Sequence, residues 1–439
     1  MKSTAGFTQH QYHFAAGDPS PDFVDRITAN TYAIILAGGH DVRLHQLTQV
    51  CAKAAVPFGG KFRIIDFVLS NCINSGIRHI GIATQNRSNY LIQHIRRGWS
   101  FLNGHLNEFI DLLPAQQRIS EEHWYKGTAD AAYQNFDIIR QYHPDFILIL
   151  SGDHVYKMNY GKLLAFHAEN KADLTIACTD LPLSDASSYG VISLNENSRV
   201  IEFSEKPAHP ASIPDKPGYA LVNMGIYVFN TEFLLEQLLL DAVNLHSRHD
   251  FGQNLIPSMI KSHFVFAQNF VGSCTGNSDL PYWRDIDSID SYWEANMGLT
   301  NVTPDLNLYD KKWPIWTRHE HTPPAKFVFD DNGMRGMAVD SLVSGGCIIS
   351  GSLVRRSLLF YDVHIECFCS IDDSVLLPNV CIGRHVILKK VIVDKDCRIP
   401  DGLVIGGNPD EDRKFFYVSP KGVTLITSDA LTKMALKTI

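Results

Sequence analysis

A chain of 439 residues exceeds one ordinary domain and predicts two. Apolar residues make up 45% and charged residues 20%, the balance of a globular protein rather than a disordered one. The formal charge of −8 argues against a nucleic-acid partner, and the absence of any run of 18 apolar residues argues against a membrane span.

Residues 1–28 mix Gln, His, Pro and Asp, and are expected to form a flexible N-terminal extension. They hold no apolar stretch of the signal-peptide kind, and the nine cysteines show no disulfide or metal-ligand spacing. Both features predict a reduced, cytoplasmic protein.

The first element expected is the apolar strand Tyr32–Ala37, which runs straight into Gly38 and Gly39. A strand followed by a glycine-rich turn and a helix opens many nucleotide-binding domains, because glycine lets backbone N–H groups approach phosphate. Helix around Ser70–Ser75, strand His79–Thr84, helix Ala129–Arg140 and strand Phe146–Leu150 are expected next. Alternating strands and helices predict an α/β domain over residues 29–300, with a mostly parallel sheet. Functional groups in such a sheet gather at the carboxyl ends of the strands.

Residues 301–340 are rich in proline and tryptophan at their start and read as a connector. From 341 to 439 short apolar pieces recur without helical periodicity. Cys347, Leu353, Leu359, Ile365, Ile371 and Leu377 fall six apart, and Val380, Val386 and Ile392 continue after a phase shift. A six-residue period predicts a parallel β-helix, with two sheets packed as a sandwich as the alternative.

The glycine turn sits in Ala37-Gly-Gly-His-Asp-Val-Arg-Leu44. It is followed by Phe58-Gly-Gly-Lys-Phe-Arg-Ile-Ile-Asp-Phe67, His94-Ile-Arg-Arg-Gly-Trp-Ser100 and Asp111-Leu-Leu-Pro-Ala-Gln-Gln-Arg118. Trp124-Tyr-Lys-Gly-Thr-Ala-Asp130, Ser151-Gly-Asp-His154, Phe203-Ser-Glu-Lys-Pro207 and Tyr282-Trp-Arg-Asp285 complete the set. From about residue 30 onward this pattern resembles the bacterial ADP-glucose pyrophosphorylases. The resemblance implies a Rossmann-like nucleotidyltransferase domain followed by a left-handed parallel β-helix, usually in a homotetramer. It also implies ATP and glucose 1-phosphate as substrates, Mg2+ as cofactor and a role in supplying glycogen synthesis.

Residue by residue, the resemblance makes Asp153 and Asp285 the metal ligands, with Asp153 catalytic. Arg43 and Lys53 become the cations that face the triphosphate, beside Gly38 and Gly39. Lys206 would grip the sugar phosphate, Glu205 the sugar hydroxyls, and Tyr125, Gly190 and Asn223 would touch substrate. Arg63 and Lys395 remain as contacts for an anionic effector. Taken alone, each of these residues reads as a turn, cap or solvated surface charge.

Several positions depart from the family pattern. Asp41 and Asp287 stand where the family has glycine, and Ala54 where it has proline. A carboxylate about 4 Å from a phosphate charge costs on the order of 4 kcal/mol at an effective dielectric near 20. Val50, Cys51, Pro57, Gln141, Ser428 and Thr432 replace basic residues of the family's effector pocket. The leading expectation is an active enzyme. A catalytically weak regulatory or structural subunit, assembled with an active paralogue, is the alternative that Asp41 and Asp287 keep open.

Overall fold

The computed structural model describes residues 20–38, 43–85, 87–115, 125–273, 281–331 and 334–437. Its N-terminal part is built on a nine-stranded sheet. In chain order the strands are β1 (Thr31–Leu36), β2 (His79–Thr84), β3 (Phe109–Pro114), β4 (Phe146–Ser151) and β5 (Leu174–Pro182). They continue with β6 (Gly190–Leu194), β7 (Val200–Glu205), β8 (Tyr219–Asn230) and β9 (Val265–Asn269). The order β7-β6-β8-β4-β1-β2-β3 forms the main path, with β5 beside β8 and β9 beside β5.

Strands β4, β1, β2 and β3 run parallel, while β8 pairs antiparallel with β4. Burial on both faces explains the unbroken apolar run of β1. Ala33 and Ile35 enter one core, and Tyr32 and Ile34 the other.

The expectation of a flexible segment at 1–28 is corrected for its last residues. Pro21–Ala29 is a helix, capped by the Ser20 side chain, with Phe23 and Ile27 buried. Serine followed by proline is a helix-start signal, but one amphipathic turn pair gives too short a pattern to stand out. Residues 1–19 lie outside the described residues.

The C-terminal part is a parallel β-helix of short strands in three sheets. Its first strand is Lys326–Val328, so the coils already begin inside the segment expected to be connector. Three apolar ladders fill its interior. Ile349, Ile365, Ile382 and Ile399 form one, and Val354, Ile371, Leu388 and Ile405 the second. Leu359, Leu376, Val393 and Ile426 form the third.

Partners on successive coils stand 16 residues apart at the first turn, as in Ile349–Ile365, and 17 apart in the following ones, as in the pairs Arg355–Asp372 and Arg356–Asp373. A strict six-residue period would need 18, which is why the sequence pattern slips phase. Leu353 consequently lies half-buried on the outside of a sheet. Leu377 and Ile392 point not into the coil but into the core of the N-terminal part.

Left-handed backbone recurs at the corners at the same spacing. Arg356, Asp373 and Lys390 form one such column, and Asp362, Asn379 and Asp396 another. Each coil therefore turns at a fixed residue position.

The two parts share a core. Leu358, Phe360, Val375, Leu377, Ile392 and Leu425 pack in one cluster with Phe58, Phe67 and Tyr292. The Trp293 indole N–H donates to the Asp373 carbonyl at 2.8 Å, and Ser419 donates to buried Asp290 at 2.5 Å. Among the described residues no helix is long and apolar enough to cross a membrane.

Candidate active site

Strand β4 ends in Ser151, and the chain turns through Gly152 and Asp153 into the short strand His154–Tyr156. That strand pairs antiparallel with Trp283–Asp285, in a register that sets Asp285 opposite His154. This two-stranded ribbon brings together two aspartates more than a hundred positions apart. Lys53, buried in the helical turn Lys53–Ala55, completes the cluster. Its ammonium lies 2.9 Å from Asp153 Oδ2 and 2.7 Å from Asp285 Oδ1.

Burial alone would lower the lysine pKa, but the Asp153 and Asp285 carboxylates outweigh it and hold Lys53 well above its ordinary value. Burial likewise opposes ionisation of Asp153. Lys53, His154 and a 2.6 Å hydrogen bond donated by Ser151 Oγ reverse it and hold Asp153 well below the carboxylate range.

Asp153, His154 and Asp285 present ligand atoms within 4.8 Å of one another. Two carboxyl groups beside an imidazole suit a divalent cation, with the oxygens offering the hard donors that magnesium prefers. The residues present therefore fit the implied metal. His154 Nε2 stands 3.5 Å from Asp153 and 3.8 Å from Asp285, while Nδ1 is buried without a hydrogen-bond partner. The ring is braced edge-on by Trp283 at 5.0 Å.

A cleft of about 530 Å³ opens in front of this cluster. Gly38, Tyr125, Gly190, Glu205, Lys206 and Asn223 line it together with Asp153 and Asp285, so the structure brings those expected residues to one place. Lys206 holds a left-handed backbone, φ 46°, fixed by its N–H on the Tyr189 carbonyl at 3.0 Å. Such strain costs roughly 1 kcal/mol and aims the exposed side chain.

Glu205 sits between two glycines. A Cβ on Gly190 or Gly252 would fall 2.9 Å from its Oε2. Burial pushes its carboxyl above the ordinary value despite neighbouring Lys206.

Asn223 lies at a bulge in β8. Its amide donates to the Tyr227 hydroxyl at 2.7 Å and accepts from Gly225 N–H at 2.9 Å. Tyr125 donates its hydroxyl to the Leu113 carbonyl at 3.1 Å.

The chain matches the family model described as Nucleotidyl transferase over residues 32–302, and the one described as GlmU-like, C-terminal hexapeptide over 323–426. It is 58% identical over 410 residues to the glucose-1-phosphate adenylyltransferase of Dechloromonas aromatica, covering 93% of each chain. The enzyme of that name from Nitrosomonas europaea is 59% identical over 414 residues, 94% of this chain and 96% of its own. That of Methylobacillus flagellatus is 60% identical over 413 residues, with the same coverage. The chain belongs to the glucose-1-phosphate adenylyltransferase family.

Against the family pattern, one expected position, Arg43, lies elsewhere. Arg43 is exposed and meets not the cleft wall but the Asp287 carboxylate, 3.1 Å away. Gly39 and the atypical Asp41 lie outside the described residues.

The expected effector contacts stand at the junction of the two domains, away from the cleft. Lys395 places its ammonium 3.8 Å from the centre of the Tyr90 ring, and Arg63 donates to the Ala55 carbonyl. Cys51, where the family has a basic residue, is buried there, its thiol raised by burial against the pull of Lys395 and Arg63. Burial also pushes neighbouring Asp394 up to about 6.

Sequence reading missed Tyr227, Asp250 and Gly252, which also line the cleft. Asp250 accepts from Thr128 Oγ1 at 3.0 Å, closing the wall between two distant segments. No spacing signal marks these residues, because only the tertiary fold brings them to Glu205.

Proposed function

We propose that this chain joins glucose 1-phosphate to the AMP part of ATP, releasing ADP-glucose and pyrophosphate and so supplying glycogen synthesis. The observation that carries the reading is the Asp153–Lys53–Asp285 cluster at the carboxyl end of β4, facing Glu205 and Lys206 across one cleft.

A phosphate oxygen of glucose 1-phosphate forms the bond to the α-phosphorus, and the bond from that phosphorus to the pyrophosphate oxygen breaks. The nucleophile is already anionic, so the chain needs no general base. Its task is to hold two anions in line and to balance charge. Lys206 holds the sugar phosphate, Glu205 orients the hydroxyls, and Asn223 and Tyr125 shape the sugar end. Gly38 and Gly39 give the nucleotide phosphates access to backbone N–H groups. Lys53 keeps Asp153 ionised and holds both the Asp153 and Asp285 carboxylates in place. Mg2+ held by these two carboxylates would supply charge neutralisation at the phosphates.

The direct test is pyrophosphate release by the purified chain from ATP, glucose 1-phosphate and Mg2+, with other nucleoside triphosphates run alongside. No release by the chain alone would favour the weak-subunit alternative. A homotetramer, or assembly with a paralogue, in the cytoplasm completes the proposal.

Lys206→Ala should raise the KM for glucose 1-phosphate far more than the KM for ATP, because one substrate loses its contact. Equal weakening of both would remove Lys206 from the sugar-phosphate site.

Effector response follows from the junction. A bisphosphate needs several cations to replace the hydration of its phosphates. Val50, Cys51, Pro57, Gln141, Ser428 and Thr432 provide none. Weak or no activation by fructose 1,6-bisphosphate is expected at sub-saturating substrate, and activation of tens of fold at micromolar levels would contradict it.

A further inference from the structure

Asp287 occupies a position with two constraints. It follows the metal-ribbon strand Trp283–Asp285 and precedes the helix Ile289–Gly298. Its Oδ1 accepts from Ser291 Oγ at 3.2 Å, and its own N–H donates to the same hydroxyl at 3.1 Å. Ser288 and Ser291 cap that helix reciprocally, so the carboxylate is anchored to a fixed helix start. The remaining oxygen, Oδ2, takes the Arg43 guanidinium at 3.1 Å. Arg43 is the first described residue after the glycine turn and is 59% exposed, and Asp287 is 28% exposed.

The charges around this pair alternate. Burial raises the Tyr189 hydroxyl, Asp285 and Asp287 raise it further, and Lys53 and Arg43 oppose them. The Tyr189 hydroxyl thus feels the charges of both ion pairs. Lys53 is committed to the metal carboxylates, while Arg43 is tied to a carboxylate that is no part of the ligand set.

We infer that Asp287 is a positioning residue that competes with the ATP triphosphate for Arg43 and thereby sets nucleotide affinity. This rests on the adenylyl-transfer reading above, in which Arg43 faces the triphosphate. Without nucleotide, Asp287 holds the guanidinium against the start of the Ile289–Gly298 helix. Binding of ATP exchanges that carboxylate for phosphate oxygens, and the cost of the exchange appears in the ATP affinity alone. A pair this exposed is weak, so the effect is about two- to fivefold in affinity, not orders of magnitude.

The experiment measures ATP binding by calorimetry without glucose 1-phosphate, together with KM values for both substrates. Asp287→Asn keeps an oxygen for Ser291 and removes the charge. Expected is ATP binding about two- to fivefold tighter, an unchanged KM for glucose 1-phosphate, and reversion toward the parent value in Asp287→Glu. In an Arg43→Ala background the same Asp287→Asn change should have no effect on ATP binding. Unchanged or weaker ATP binding in Asp287→Asn overturns the inference. So does a gain that persists without Arg43, since Asp287 would then act only through general charge or the helix cap. A parent chain that neither binds ATP nor releases pyrophosphate sinks the adenylyl-transfer reading and the inference with it. An active parent with an indifferent Asp287→Asn sinks the inference alone.

Discussion

Asp153→Asn is expected to lower turnover by at least about a hundredfold, the scale of losing one key electrostatic group. The amide matches the carboxylate in volume but carries no charge. It removes one of the two carboxylates proposed to hold the metal, and it leaves Lys53 paired with Asp285. The fold should tolerate the change. Asp153 is partly open to the cleft, and Lys53 keeps its 2.7 Å contact to Asp285, so no buried charge is stranded. Pyrophosphate release measured beside thermal unfolding separates the two effects. Near-parental turnover in a folded variant would remove Asp153 from the mechanism.

Asp66→Asn should instead cost stability, by about 3–5 kcal/mol, the range for breaking a buried hydrogen-bonded charge network. Asp66 is fully buried and accepts from four groups. Its Oδ2 takes Arg63 N–H at 2.8 Å and the Thr317 hydroxyl at 2.6 Å. Its Oδ1 takes Trp99 Nε1–H at 3.0 Å and meets His94 Nε2 at 2.6 Å. An asparagine amide would turn an N–H₂ toward two of these partners, whichever way it flips. The network ties the helices Ile64–Asn74 and Asn89–Gly98 to the connector at Thr317, so its loss should loosen the domain junction as well. The urea midpoint of unfolding reads the effect. A shift worth less than about 1 kcal/mol would mean that water or a rearranged partner satisfies the network.

The Asp153–Lys53–Asp285 cluster and this network were not equally visible beforehand. Asp153 and Asp285 stood in quotable motifs, because each lies on a short stretch whose neighbours are also constrained. Asp66 sat inside one such motif as well, yet its role depends on Trp99 and Thr317, and no local pattern specifies those distant partners. The parallel sheet was legible because β1 and β4 are buried on both faces and read as unbroken apolar runs. The coil was legible in kind but not in phase. A six-residue rule misplaces Leu353, Leu377 and Ile392, since the turns run 16 or 17 residues instead of 18. Asp287 shows the opposite limit. Its mismatch with the family pattern was plain in the sequence, while its partner Arg43 emerged only from the fold.

The fixed corner positions of the β-helix also constrain how this chain can change over evolutionary time. A one-residue change is absorbed at a corner, as between the 16-residue first turn and the 17-residue turns after it, but within a strand it would throw a ladder out of step, so larger changes in length fit only as whole turns. The exception is instructive. Between Ile405 and Thr424 the path leaves the coil, makes the short helix Pro409–Asp412, and returns to pair with the strand Val391–Val393. On that excursion Tyr417 stacks on His45 at 3.8 Å, and Lys421 reaches Glu294 at 2.5 Å. This long excursion from the repeat's arithmetic is thus a stretch that leans on the residues just after the glycine turn. A change in length there would have to fit the N-terminal domain, not the register of the coil.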